Sequence, residues 1–264
     1  MQKLIFFDID GTVLTEGDNR YVPESTIDAI RMLRENGHLC FINTGRAWSE
    51  IHDNIASLPF DGFVCGCGTF INYHDEVLLA DEIPIDLADA VYKKLHTCRL
   101  EWVLEGQHTI YYSTLPYQTR LGRFHREFHT LFPEKCTDFP PEARGLRYDK
   151  FCICATPDSN LSEFMDTFEK DFTFIDRGDG FFEVIPAGHS KASGMQFLMD
   201  YLKISRQNTI AIGDSTNDLP MLEFAGLSIG MKKSDATVLD TVDYVTDTVE
   251  NDGIYKAMKH YHLI

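Results

Sequence analysis

The order of the apolar runs constrains the fold of this 264-residue chain more than any other feature. Residues 3–9 form an apolar, strand-like run. Residues 24–36 (ESTIDAIRMLREN) carry apolar side chains at helical spacing and stop at Gly37. Residues 38–43 (HLCFIN) read as a second strand, 47–57 as a helix and 63–65 (FVC) as a third strand. Apolar strands alternating with helices of this length imply a parallel sheet with helices on both faces. The same style returns after Pro186, with a helix at 191–202, a strand at 209–213 (TIAIG) and a short helix at 217–225. Strands in LSIG and YVT and a helix at 252–261 follow. The intervening stretch differs. DEIPID (81–86) opens a helix running to about Cys98, followed by short strands in EWVL, HTIYY and FCICA. Helices are expected near 117–131 and 159–170, and FTFID and FFEVIP form a hairpin across RGDG. The fold class is therefore α/β. A Rossmann-like parallel-sheet core from residues 1–81 and 187–264 carries an inserted α+β cap domain at 82–186.

With 44% hydrophobic residues the chain can bury a substantial core. A net charge of -17 argues against nucleic acid and against an anionic membrane surface as partners. It leaves room for a small anionic substrate, because a metal ion or one lysine inverts the field locally. The seven cysteines include two C-x-C pairs, Cys65/Cys67 and Cys152/Cys154, rather than C-x-x-C motifs. An odd count without a secretory signal reads as reduced, mostly buried thiols. Leu4–Phe7 is too short for a signal-peptide core, and no apolar stretch has membrane-spanning length. A soluble, cytoplasmic protein is expected, in which the sequon Asn160-Leu161-Ser162 has no role.

Chemistry-bearing residues gather where core strands end, which is where ligands bind in such sheets. The first strand ends in Asp8-Ile9-Asp10-Gly11-Thr12. Residues two apart share a side of an extended chain, so Asp8 and Asp10 can face one point, and two carboxylates there repel unless a cation or a proton holds them. The bland alternative is a solvated strand end. Thr44-Gly45-Arg46 follows the second strand. It reads either as a helix cap or as a phosphate cradle of hydroxyl and backbone N–H groups. Lys191, in GHSK, is either a surface charge at a helix start or the point charge that balances a carboxylate and a phosphoryl group. Gly213-Asp214-Ser215-Thr216-Asn217-Asp218 is either an Asx-rich turn or a source of oxygen ligands for Mg²⁺.

All four, in this order, resemble the motifs of the haloacid dehalogenase-like hydrolase superfamily. The long insertion between the second and third motifs is similar to that of its Cof-like phosphatases, the subgroup with a large α/β cap (type IIB). The resemblance spans the whole chain. It implies that Asp8 is the nucleophile, forming an aspartyl-phosphate, and that Asp10 is the acid and then the base. It implies Mg²⁺ held by the Asp8 carboxylate, the Asp10 backbone carbonyl and the Asp214 carboxylate. Thr44, Gly45, Lys191 and Asn217 would hold the phosphoryl oxygens, with Gly11, Thr12, Arg46 and Asp218 in support. Asp10 points to phosphate esters, since the dehalogenases lack an aspartate two after the nucleophile and the cation-pumping ATPases have threonine there. Gly230-Met231-Lys232-Lys233-Ser234 departs from the Met-Gly-Asn-Ala-like stretch of many relatives, in a loop that borders the site in the family.

The expected activity is Mg²⁺-dependent hydrolysis of small phosphorylated metabolites. Sugar phosphates come first, with FMN, pyridoxal phosphate or nucleotides behind. The cap is expected to close over the site and read the leaving group. A phosphomutase on the same motifs and a non-catalytic phospho-ligand sensor are the alternatives. The sequence does not specify the oligomeric state. Other features read as structural. His125 and His129 lie at i, i+4 on a helix and could bind zinc, but Arg126 replaces the glutamate of the metalloprotease pattern, so a solvated helix face is expected. Gly66-Cys67-Gly68 lacks the third glycine of a dinucleotide fingerprint and reads as a tight turn near the site. Trp102, Tyr111, Tyr112 and Phe124 read as cap core, with stacking of one or two on a substrate as the alternative, and Arg144, Arg147 and Lys150 read as surface charges, with contact to a second anionic group as the alternative.

Overall fold

The computed structural model describes residues 1–113, 116–138 and 144–264. In chain order the elements are β1 Leu4–Phe7, α1 Glu24–Glu35, β2 Leu39–Asn43, α2 Asp53–Ala56, β3 Gly62–Cys65, β4 Phe70–Tyr73, β5 Glu76–Ala80 and α3 Ile85–Thr97. Then come β6 Glu101–Glu105, β7 Ile110–Tyr112, α4 Leu121–Leu131, β8 Cys136–Asp138, β9 Lys150–Cys154, α5 Leu161–Phe168, β10 Phe172–Asp176 and β11 Phe181–Pro186. The chain finishes with α6 Lys191–Leu202, β12 Thr209–Gly213, α7 Leu219–Phe224, β13 Leu227–Gly230, α8 Ala236–Thr241, β14 Tyr244–Val245 and α9 Gly253–His260.

The described chain divides into two compact units. The first comprises Met1–Gly45, Asn54–Leu78 and Ser190–Ile264. Its sheet runs β14-β13-β12-β1-β2-β3-β4-β5. The pairs from β14 to β3 are parallel, whereas β4 lies antiparallel on β3. β1 is apolar throughout and wholly buried, as a central strand must be. From β1 the chain builds outward to β2 and β3, then returns to β12 on the other side of β1. The carboxyl ends of β1 and β12 therefore meet at the point where the strand order reverses, the place such sheets use for ligands.

The second unit comprises Arg46–Asp53 and Leu79–His189. Its sheet runs β10-β11-β9-β6-β7-β8, antiparallel except for the parallel β7–β8 pair. Alternation along β6 and β9 makes both faces apolar. Trp102, Phe151 and Ile153 pack with α3 and α5 on one face, while Val103, Cys152 and Cys154 pack with Tyr112 and Leu121 of α4 on the other. Of the four aromatics expected in this core, Trp102 and Tyr112 are buried, and Tyr111 and Phe124 pack against the edges of the two clusters.

Several local expectations change. β1 stops at Phe7 rather than continuing to Ile9, because the Ile9 carbonyl accepts from the N–H groups of Thr12, Val13 and Leu14 and turns the chain. Residues 47–57 do not form one helix. They make a single 3₁₀ turn, Trp48–Glu50, and the one-turn α2, because the buried Glu50 carboxylate folds back onto the Ala47 N–H at 3.0 Å. Its first part, Arg46–Asp53, packs in the second unit, where Ser49 Oγ donates to the Gly106 carbonyl (2.7 Å) and Lys135 Nζ to the Ser49 carbonyl (3.0 Å). The hairpin-like extension β4–β5 was not foreseen. Lys150 is no surface charge: it is buried between Glu105 and Glu183 (Nζ–Oε1 2.9 Å to the latter). Arg147 is exposed and pairs with Glu82, and Arg144 is exposed. His125 is buried rather than solvated.

Candidate active site

Each feature of the site has a local cause. Asp8 directly follows β1, and its N–H still donates to the Ile212 carbonyl of β12 (3.0 Å), which fixes its backbone at the sheet edge. Gly11 turns the chain at φ +75°, and a Cβ there would lie 2.6 Å from Asp214 Cγ. Only glycine meets both demands. Thr12 is wholly buried, and its hydroxyl donates to Asp214 Oδ1 at 3.0 Å. The loops after β1 and β12 are thereby tied together.

Lys191 is the first residue of α6. Ser190 caps that helix, accepting from the Ser193 N–H at 3.0 Å. The cap fixes the backbone, and Asn43 Nδ2 donates to the Lys191 carbonyl at 2.9 Å. Gly68, at φ +96°, lets the Gly66–Gly68 turn reach this helix start, since a Cβ there would lie 2.8 Å from the Ser190 carbonyl oxygen. The turn expected from Gly66-Cys67-Gly68 is present, with Cys67 itself at φ 55°. The lysine side chain is wholly buried. Its Nζ donates to Asp8 Oδ1 at 2.6 Å and also bonds Asp218 Oδ1. The second Asp218 oxygen accepts from the N–H groups of Asp214 (2.9 Å) and Ser215 (3.1 Å). Asp218 therefore positions both Lys191 and the Asp214 loop.

One oxygen from each of Asp8, Asp214 and Asp218 falls within 4.8 Å of the others. Three buried or half-buried acids thus share one lysine. Burial, then Asp218, push the Asp8 carboxyl up to about 7, against the opposing effect of Lys191. Burial, then Asp8 and Asp218, push Asp214 up to about 8. Burial would lower Lys191, but Asp218 and Asp8 reverse this and raise it. The site gathers more carboxyl groups than its lysine pairs, and its donors are all hard oxygens. That donor set fits a hard divalent cation such as Mg²⁺.

The remaining expected residues are placed less centrally. The Asp10 side chain, half-exposed, accepts from Arg20 Nη1 at 3.2 Å and lies near enough to Asp8 to raise it. Thr44 is buried, its N–H bonded to the Val64 carbonyl and its own carbonyl to the Cys67 N–H. Only a 3₁₀ turn follows Gly45 and Arg46, so no helix N-terminus backs the Thr44-Gly45-Arg46 cradle, and Arg46 falls in the second unit. Asn217 accepts from the Ser215 hydroxyl on its own turn. The loop Gly230–Ser234 docks on the site by backbone: the Met231 N–H donates to the Gly213 carbonyl at 3.1 Å. Next to it, the Asp235 N–H donates to the Asp214 carbonyl (2.9 Å), and Asp235 Oδ2 accepts from Thr216 (3.0 Å). A pocket beside Asp214 is lined by Gly11, Glu16, Met231 and Lys233, so the divergent loop does border the site. Arg20, Asn43 and Asp235 went unrecognised in the sequence, since each acts through partners far along the chain or outside the motif.

A model of haloacid dehalogenase-like hydrolases matches residues 5–258. The chain belongs to this family. The hydrolase is 27% identical over 266 residues to a 5-amino-6-(5-phospho-D-ribitylamino)uracil phosphatase, YcsE of Bacillus subtilis, covering 99% of this chain and 96% of the relative. It is 26% identical over 281 residues to the pyridoxal phosphate phosphatase YbhA of Escherichia coli, covering 99% of both. Among solved structures it superposes with TM-score 0.82 on a phosphatase of the haloalkanoate enzyme superfamily from Bacteroides thetaiotaomicron. That protein is 25% identical, and the match covers 100% of this chain and 96% of the other. The hydrolase is an enzyme of the phosphatase class, and no helix among the described residues is long and apolar enough to cross a membrane.

Proposed function

We propose that the protein is a Mg²⁺-dependent phosphomonoesterase working through an aspartyl-phosphate on Asp8. The observation that carries this reading is the buried Lys191 Nζ bonded to both Asp8 and Asp218, with Asp214 alongside. Lys191 holds one Asp8 oxygen, favours the carboxylate form and leaves the other oxygen to attack phosphorus. The attack forms the Asp8 O–P bond and breaks the bond to the leaving oxygen, which takes a proton from Asp10. In the second half a water attacks phosphorus, gives its proton to Asp10, and frees Asp8 and phosphate. For this work the Asp10 side chain must leave Arg20. Asp8, Asp214 and the Asp10 backbone carbonyl would hold Mg²⁺, which supplies charge neutralisation for an anion meeting an anion. Asp218 orients Lys191, and Gly11 and Thr12 shape the loop. We assign Thr44, Gly45 and Asn217 to the phosphoryl oxygens, with Arg46 in support.

The substrate class we propose is a small phosphorylated metabolite. Sugar phosphates lead, and the substrates in the names of the two relatives, a phosphoribitylamino-uracil and pyridoxal phosphate, support phosphate esters carried by small heterocyclic or polyol groups. Residues 82–186 are proposed as the inserted domain that selects among them. Seven free cysteines, six of them buried, suit a reducing compartment, and we assign the enzyme to the cytoplasm. Acid quenching during turnover should leave phosphate on the peptide containing Asp8. Turnover of wild-type protein with no phosphate trapped on that peptide under single-turnover conditions would contradict the covalent route.

A further inference from the structure

We propose that His125, His129 and Asp138 form a second metal site, in the second unit, for a borderline divalent ion of the Zn²⁺ type. His125 and His129 are side by side at i, i+4 on α4, with ring centroids 4.0 Å apart. Asp138 closes the triangle from β8. His125 Nε2 lies 3.0 Å from Asp138 Oδ1, and His129 Nε2 lies 3.8 Å from Asp138 Oδ2. One donor atom of each residue is within 4.8 Å of the other two. Ligands about 2.0–2.2 Å from a tetrahedral ion stand roughly 3.3–3.5 Å apart, and the two histidine–aspartate separations bracket that range.

The hydrogen bonding points the same way. His129 Nδ1 lies 2.9 Å from the His125 carbonyl. A carbonyl only accepts, so Nδ1 carries a hydrogen and Nε2 is the atom turned toward the Asp138 carboxylate, the position a metal-bound histidine uses. A ring N–H fixed by a backbone carbonyl is also the usual support of a metal-bound histidine. His125 Nε2 donates to Asp138; to ligate through that atom the ring loses the Nε2 hydrogen to water and carries its one hydrogen on Nδ1. The Tyr112 ring, 4.9 Å from His125 and 5.2 Å from His129, packs against both imidazoles. His129 and Asp138 are partly exposed, which admits the ion and the waters that complete its coordination. Two imidazoles and one carboxylate select Zn²⁺ or Co²⁺ over Mg²⁺, unlike the all-oxygen cluster of the first unit.

The test uses the full chain, stripped with EDTA, dialysed free of it and titrated with Zn²⁺ in excess Mg²⁺. Wild type is expected to bind one equivalent, and Zn²⁺ is expected to raise its melting temperature. Co²⁺ in the same position should show the visible bands of a nitrogen-and-oxygen site. His129→Ala and Asp138→Asn, both at partly exposed positions, should lose the equivalent and the shift while melting like wild type in EDTA. Asp214→Asn should keep both. Zn²⁺ binding that survives in His129→Ala and Asp138→Asn, that disappears in Asp214→Asn, or that is absent from wild type would overturn the proposal. An imidazolium–carboxylate pair without a metal would give the last of these results.

Discussion

Lys191 and Lys150 are the two buried lysines among the described residues, and each sits between two carboxylates. Their surroundings differ in charge balance. Beside Lys191 a third acid, Asp214, joins Asp8 and Asp218, and both Asp8 and Asp214 are pushed up, to about 7 and about 8. Beside Lys150 a second cation, Arg177, bonds Glu183. Against the effect of burial, Lys150 and then Arg177 hold Glu183 down to about 2. The nearby Glu50 is pushed up to about 8 by burial and then by Glu105, so it stays neutral there below that pH. One cluster is closed and structural. The other gathers three carboxyl groups around one lysine and holds two of them raised, an arrangement in which a bound cation draws them into the charged form.

Removing either lysine tests this contrast with the largest expected effect. Lys150→Met and Lys191→Met should each cost about 3–5 kcal/mol, because each strands buried carboxylates. Melting with and without Mg²⁺ separates them. The Mg²⁺-induced gain should match wild type in Lys150→Met and exceed it in Lys191→Met, where the cation replaces the missing charge. Equal gains in the two variants would erase the distinction. Neutralising one acid in each cluster should then give effects of opposite sign. Glu183→Gln should lose about 1.5–3 kcal/mol, as expected for charged hydrogen bonds. Asp214→Asn, measured in EDTA by denaturant unfolding, should gain about 0.5–2 kcal/mol, in line with active-site residues held at a cost to stability.

The contrast also sets the pH dependence, whose sign follows from linkage. Glu183 is lowered from an ordinary 4.5 to about 2, so its contribution is present above 4.5 and is lost as pH falls toward 2. Glu50 is raised from 4.5 to about 8, so the folded state holds a proton the unfolded chain has lost. Stability should decline as pH rises from 4.5 to about 8. Glu50→Gln should flatten that decline and leave the acid side unchanged, as read from unfolding free energies across the range.

The same two clusters show how far the sequence could be read. Lys191 was legible because Ser190 caps a helix whose apolar spacing runs clearly from 191 to 202, and α6 has those bounds. Asp8 and Asp214 were legible because each follows an apolar strand. Lys150 was not, because the apolar run begins only at Phe151, and the glutamates that bury the lysine come from β6 and β11, strands that pair with β9 from distant parts of the chain. Asp10 was legible as a neighbour of Asp8, which it helps to raise, but its pairing with Arg20, ten residues on and outside the motif, was not. Residues 46–53 follow Thr44-Gly45 directly and read as core, yet contacts with Gly106 and Lys135 place them in the second unit. Periodicity records local structure and burial, whereas these three outcomes depend on partners distant in the chain.

The central claim is that Asp8 attacks phosphorus in a cation-dependent hydrolase. It is tested most directly by inorganic phosphate release from a panel of sugar phosphates, pyridoxal phosphate and FMN. Wild type and Asp8→Asn would be compared in Mg²⁺ and in EDTA. Turnover by wild type in Mg²⁺ is expected to vanish in EDTA and to fall on the order of 10⁴-fold or more in Asp8→Asn. Folded Asp8→Asn that turns over like wild type, or wild type that is indifferent to EDTA, would contradict it.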